Sequence, residues 1–191
     1  METGASKITI ILVIAISFVV SVGLLIFLGR LLLDKTRGFH KNWVVAAREL
    51  GARVEKPEGI IYRRVIGING KLEGHTFHLQ QRSLRYGYRV LLEVSIINHV
   101  DFSVKKRTFG KNKRLSMYGK VLEAYNVSPE YWERSPEVLF TLKEILKTFP
   151  DTSIRCSDNK LVFEKSGLMK NPGKIVRFVT MAIRLAEKVE R

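Results

Sequence analysis

The chain has 191 residues, with 33 Lys and Arg against 18 Asp and Glu and a formal net charge of +15 at pH 7. That excess bears on association, favouring anionic partners, and says nothing about fold. The one cysteine, Cys156, excludes an intramolecular disulfide and a cysteine-based zinc site, in keeping with a reducing compartment.

Residues 1–7 (METGASK) form a short, weakly charged tail. The next stretch, 8–33, is the most apolar of the chain. Between Ile8 and Gly29 there is no charge, and Thr9, Ser17 and Ser21 are the only polar side chains. A helix of that length spans about 33 Å, enough for a hydrocarbon core of about 30 Å. The expectation is one transmembrane helix over 8–33. Its apolar core is too long for a cleavable signal peptide, and no A-x-A site comes after it, so it is expected to remain as an anchor. Ser17 and Ser21 have small-xxx-small spacing and read as helix filler. Basic residues cluster after the run. Arg30, Lys35 and Arg37 are expected at the membrane interface and, with Lys41, place the C-terminal side in the cytoplasm. Residues 34–38 (DKTRG) read as a short connector. Residues 1–37 hold four basic and two acidic side chains, which leaves +13 on residues 38–191.

Residues 39–191 read as one basic α+β domain. Phe39 to Leu50 carries Phe39, Trp43, Ala46, Ala47 and Leu50 at helical spacing, with Gly51 as a C-terminal cap. Ile60 to Ile68 then reads as a strand, and Asn69-Gly70 as a tight hairpin turn. The return strand covers Lys71 to Arg82. A turn near Leu84 to Gly87 leads into a strand at Tyr88 to Ile97. Asn98-His99 breaks it, and Val100 to Arg107 is a fourth strand. Lys120 to Val127 reads as a fifth, so the prediction is a meander of four to five strands. Ser135-Pro136-Glu137 opens a helix with an apolar face of Val138, Leu139, Leu142, Ile145, Leu146 and Phe149. A hairpin around Asp158-Asn159 comes next. Asn171-Pro172 opens the last helix, with Ile175, Phe178, Val179, Ala182, Leu185, Ala186 and Val189 as its stripe. The expected fold is α+β: the anchor, then an antiparallel sheet with about three helices packed on it.

Catalytic patterns are missing from the sequence. There is no P-loop, dinucleotide fingerprint, G-x-S-x-G or H-E-x-x-H. His75 and His78, three apart in a strand, point to opposite faces, and His40 and His99 have no ligand-spaced neighbour. Glu93, inside an apolar strand, is expected to face solvent or pair with an arginine. No cofactor or metal is expected. The informative clusters are basic. Lys105, Lys106, Arg107, Lys111, Lys113 and Arg114 surround Phe109, and Arg82, Arg85 and Arg89 accompany Tyr86 and Tyr88. Both sets suit anionic partners: lipid headgroups, an acidic protein, or nucleic acid through phosphate contacts. The other reading of both is solvated charge that protects a sheet edge.

Tyr125-Asn126-Val127-Ser128-Pro129-Glu130-Tyr131-Trp132, followed by an apolar helix, a hairpin and a final helix, resembles a pattern in uncharacterised prokaryotic membrane-anchored proteins with a small α+β domain. Trp43, Ala47, Leu50 and Gly51 fit it as well. Leu122-Glu123-Ala124 departs from the acidic, aromatic turn common in such proteins. The resemblance implies a class and no catalytic residues. The sequence therefore points to a single-pass membrane protein displaying a basic, non-enzymatic interaction domain to anionic lipid or a protein partner. A membrane-tethered nucleic-acid binder is the alternative, and an enzyme of unrecognised type the third.

Overall fold

The computed structural model describes residues 3–55, 65–84, 87–98, 100–107, 110, 115, 118–129, 132 and 135–191, and, within the first helix, the side chains of 14, 16–28 and 40 onward. The chain divides into two units, Met1–Lys41 and Asn42–Arg191. Helix α1 (Thr3–Glu49) runs without a break through 34–38, where a connector was expected.

The expectation of a transmembrane anchor is corrected here. Among the described residues no helix is long and apolar enough to cross a membrane. The contiguous run of described side chains in that stretch, 16–28, is exposed and apolar. The single-pass localisation and its cytoplasmic sidedness rested on that anchor and fall with it; the side chains of Arg30, Lys35 and Arg37 lie outside the described residues.

The second unit begins in the last turns of α1. Trp43, Ala46, Ala47 and Leu50 are buried on one stripe, as their spacing requires. Gly51 ends the helix in the left-handed region, φ 61°. Its N–H bonds Arg48 O at 3.1 Å, and Ala52 N–H reaches back five residues to Ala47 O at 2.8 Å, which satisfies carbonyls the helix end leaves open.

Strands β1 (Arg53–Val54), β2 (Val65–Leu72), β3 (His75–Leu84) and β4 (Gly87–Ser95) come next, pairing antiparallel in sequence order. The β2–β3 turn is not Asn69-Gly70. It lies at Glu73-Gly74, with φ 51° and 89°, the two positive values a two-residue hairpin loop needs. Asn69 and Gly70 sit inside β2, opposite His78 and Phe77. A Cβ on Gly70 would lie 2.6 Å from Ala52 Cβ and 2.8 Å from the Phe77 ring. This glycine therefore serves close packing and not a turn.

After β4 come β5 (Ser103–Lys106), a 3-10 turn at Leu122–Ala124, β6 (Tyr125–Ser128), α2 (Pro136–Thr148), β7 (Thr152–Ser157), β8 (Lys160–Ser166) and α3 (Pro172–Glu190). The sheet has eight strands in the order β1-β2-β3-β4-β8-β7-β5-β6. The expected meander stops at β4, because the β7–β8 hairpin inserts between β4 and β5. The apolar residues explain this placement. Leu92 and Val94 of β4 meet Phe163 and Leu161 of β8 across the ladder, and all four are fully buried. The four-residue β5 offers only Val104 to the core and lies further out. Asp158-Asn159 does form the β7–β8 turn, with φ 51° and 58°.

Helices cover one face of the sheet. Phe178 of α3 stacks edge-on against Phe149, centroids 4.8 Å apart, and against Phe163 of β8 at 6.1 Å. Nine residues of α3 are buried, Met181 and Ile183 beyond the predicted stripe, since α3 packs on both the sheet and α2. Asn171 caps α3 by accepting from Lys174 N–H at 3.1 Å. Behind β8, Trp43 Nε1 donates to Met169 O at 3.1 Å, and Met169 N donates to Gln81 Oε1 at 2.8 Å.

Candidate anion-contact face of the sheet

Alternation along the strands sorts the side chains between two faces. His75, Phe77, Leu79 and Gln81 of β3 turn toward the helices and are buried. Thr76, His78, Gln80 and Arg82 turn the other way and are exposed or half-exposed. The registers carry this second face across every strand. Among its described strand residues only Gly67 and Val162 are buried. None is Phe, Tyr or Trp.

This face is cationic because charges fall at the alternate positions. Arg53, Lys71, Arg82, Arg89, Lys160, Arg155 and Lys105 stand on it, against Glu55, Glu93 and Glu164. Each carboxylate is already engaged. Glu93 stands half-exposed on the open face, and its Oε2 lies 3.1 Å from Lys160 Nζ, so the cation it meets is a lysine. Glu164 Oε1 lies 2.7 Å from Arg89. Glu55 accepts from Asn69 Nδ2 and lies 3.2 Å from His78 Nε2. A polar ladder continues from there: Gln80 Nε2 is 2.8 Å from His78 Nε2, and Arg82 donates to Gln80 Oε1 at 2.8 Å. Among the described residues Arg53, Lys71, Arg82, Lys105 and Arg155 have no carboxylate partner.

The predicted basic residues separate on this framework. Arg82 and Arg89 are direct cross-strand partners, an arrangement of like charges that is unfavourable by itself. Gln80 and Glu164 hold them from either side. Lys105 stands on the open face of β5. Lys106, next in the strand, turns the opposite way and pairs with Asp151. The Asp151 hydrogen bond and charge raise the Lys106 pKa, and Lys106 in turn lowers that of Asp151. Arg107 donates to Asn126 Oδ1 at 2.6 Å. Arg85, Tyr86, His99, Phe109, Lys111, Lys113 and Arg114 lie outside the described residues, as does the first part of the strand predicted over Ile60 to Ile68. Arg30, Lys35 and Arg37 belong to α1, with side chains outside the described set.

Sequence reasoning missed Arg155. Its signal is the alternation Ser153-Ile154-Arg155 in β7, with Ile154 buried and its neighbours outward. Arg155, Lys105, Ser153, Ile154, Val162 and Glu164 line a hollow of about 220 Å³ on the open face. A larger hollow of about 580 Å³ lies along α2, lined by Tyr118, Pro136, Glu137, Phe140, Thr141, Lys143 and Lys188. Its one acid, Glu137, is bound to Lys188 at 2.6 Å, which lowers the Glu137 pKa through that hydrogen bond.

Other reactive side chains among the described residues are Cys156, Lys165, His75 and His78. Burial pushes the Cys156 thiol up, away from the thiolate a nucleophile needs. Burial lowers the Lys165 pKa, and its Nζ donates to Ser166 O at 2.6 Å. His75 is buried on the helix-covered face, 2.8 Å from Ser95 O and 3.9 Å from Glu190, while His78 stands on the open face. Among the described residues no group of three His, Cys, Asp or Glu is placed to hold a metal. Comparison with family models, with curated proteins and with solved structures finds no match, and leaves the resemblance to membrane-anchored proteins without bearing on the site.

Proposed function

We propose that this chain is a non-enzymatic interaction module whose open sheet face binds an acidic protein partner. The observation that carries this is the set of cations on that face without a carboxylate partner among the described residues, Arg53, Lys71, Arg82, Lys105 and Arg155, beside acids that are already engaged. Surplus positive charge facing a complementary acidic surface accelerates encounter and selects against like-charged partners. The lipid reading depended on an anchor that holds the domain at a bilayer, and that anchor is withdrawn. Single-strand nucleic-acid binders combine basic grooves with aromatic side chains for the bases, and the described strand residues of this face include no aromatic ring.

The test is fluorescence anisotropy of the full chain with a labelled poly-glutamate peptide, beside a single-stranded oligonucleotide of equal length. Peptide binding is expected to weaken as salt rises from about 50 to 200 mM, as screening requires. Lys105→Glu with Arg155→Glu is expected to reduce it at least about tenfold, while Arg184→Glu, exposed on α3 in the helical layer, leaves it within about twofold. Tighter binding of the oligonucleotide than the peptide would transfer the function to nucleic acid. Peptide binding indifferent to the double charge reversal would remove the open face from consideration.

A further inference from the structure

We infer that the hollow between Lys105, Ser153 and Arg155 is a subsite for a phosphomonoester dianion carried on the partner polypeptide, as in phosphoserine. This rests on the open face being the binding surface and names what its centre recognises.

The geometry comes from the strand register. Ser103 of β5 stands opposite Arg155 of β7. Lys105, two residues further on the same face, is therefore the diagonal neighbour of Arg155. Diagonal pairs on one face are spaced at about 7–8 Å, against about 4.5–5.5 Å for direct pairs. A direct pair of cations would be forced apart by repulsion, whereas a diagonal pair leaves room for a tetrahedral anion between the two heads. Ser153 shares the outward face of β7 with Arg155 and lines the same hollow. Three donor types thus surround one space: an ammonium, a planar guanidinium fork and a hydroxyl. Phosphate oxygens accept from such a set in several directions at once, while a carboxylate offers two oxygens in one plane.

Charge favours the dianion as well. Lys105 and Arg155 contribute two positive charges without an ion-pair partner among the described residues. A phosphomonoester near −2 matches them, and a single carboxylate leaves half of that charge uncompensated. Glu164 is the one acid in the wall of the hollow, and Arg89 holds its carboxylate at 2.7 Å, toward β4. Size points to the polypeptide as the source. At about 220 Å³ the hollow is smaller than typical small-molecule sites of about 300–1,000 Å³. It accommodates the phosphoryl group, and the rest of the ligand lies along the flat face beyond it.

The experiment titrates the full chain, at fixed ionic strength, with a labelled acidic peptide carrying one phosphoserine. The same peptide with Ser or Glu at that position is run beside it, with inorganic phosphate as competitor. The phosphoserine form is expected to bind at least about tenfold tighter than the Ser form. Arg155→Ala or Lys105→Ala is expected to remove that increment. Glu164→Gln, which takes a negative charge out of the wall, is expected to tighten the phosphoserine peptide by about threefold, a gain that a damaged fold would not give. Inorganic phosphate is expected to compete only at millimolar concentration. Equal affinity for the three peptides, or an increment that survives both alanine variants, overturns the subsite. Inorganic phosphate competing at concentrations as low as the phosphopeptide overturns the polypeptide source. If the increment fails while salt-sensitive binding of the Ser peptide persists, the subsite alone is wrong; if no peptide binds, the open face is wrong as a whole.

Discussion

Trp43 shows how one side chain can tie together distant parts of the chain. It is fully buried, and its indole N–H closes on Met169 O, 126 residues away. Trp43→Phe removes that donor and leaves a buried carbonyl without it. The expected loss is about 1–3 kcal/mol of unfolding free energy, read by urea denaturation. The Lys106–Asp151 pair acts differently, because it is exposed and titrates. Asp151 is held below its ordinary pKa of 3.8, chiefly by the Lys106 hydrogen bond. A carboxylate depressed in the folded state contributes stability above its unfolded pKa, and that contribution disappears as pH falls through the folded value. Asp151→Asn keeps a residue suited to φ 63° while deleting the charge. Its stability deficit against the parent chain is therefore expected at pH 7 and to shrink below pH ~3.8. A deficit that is the same at pH 7 and pH 2.5, by denaturant titration, would show that the pair's charge contributes nothing. The Trp43 helix stripe and the caps at Gly51 and Asn171 are legible from single residues, since each requirement is local. Arg155 is not, because its role needs a face that only strand pairing defines.

Turns and strands divide along the same line. Asp158-Asn159 reads correctly as a turn, because both residues tolerate the positive φ that a two-residue hairpin loop needs. Asn69-Gly70 has the stronger turn signature and is not a turn, because Gly70 is required where Ala52 and Phe77 close in. The turn moves four residues on, to Glu73-Gly74, whose composition is less suggestive. Two substitutions separate these roles. Gly70→Ala forces a Cβ into contacts of 2.6 and 2.8 Å and is expected to cost about 1–3 kcal/mol. Glu73→Asn supplies a residue better suited to positive φ and is expected to stabilise by about 0.5 kcal/mol. If Gly70→Ala is neutral in thermal denaturation, the packing role assigned to that glycine is wrong. β1 escapes sequence reading altogether, since two residues show no period. α2 and α3 do not, since their apolar residues recur over thirteen and nineteen residues.

At the scale of the whole molecule, the α+β class and the helices on one face are legible from patterning. The strand order is not, because neighbours in sequence are the default guess and β8 pairs β4 over a separation that no local signal reports. That pairing has a consequence for the chain as it is made. Strands β1 to β4 and strands β5 and β6 belong to one sheet only because β7 and β8 lie between them. A ribosome that has released residues 1–150 has produced both flanks and nothing to join them. Lys105 then has no Arg155 beside it, and Arg89 has no Glu164. The sheet cannot be completed until β7 and β8 emerge. The part of the cationic face where Lys105 and Arg155 meet is absent from every nascent chain that stops short of β7, so a partner that recognises that part binds only molecules in which β5 and β7 have paired.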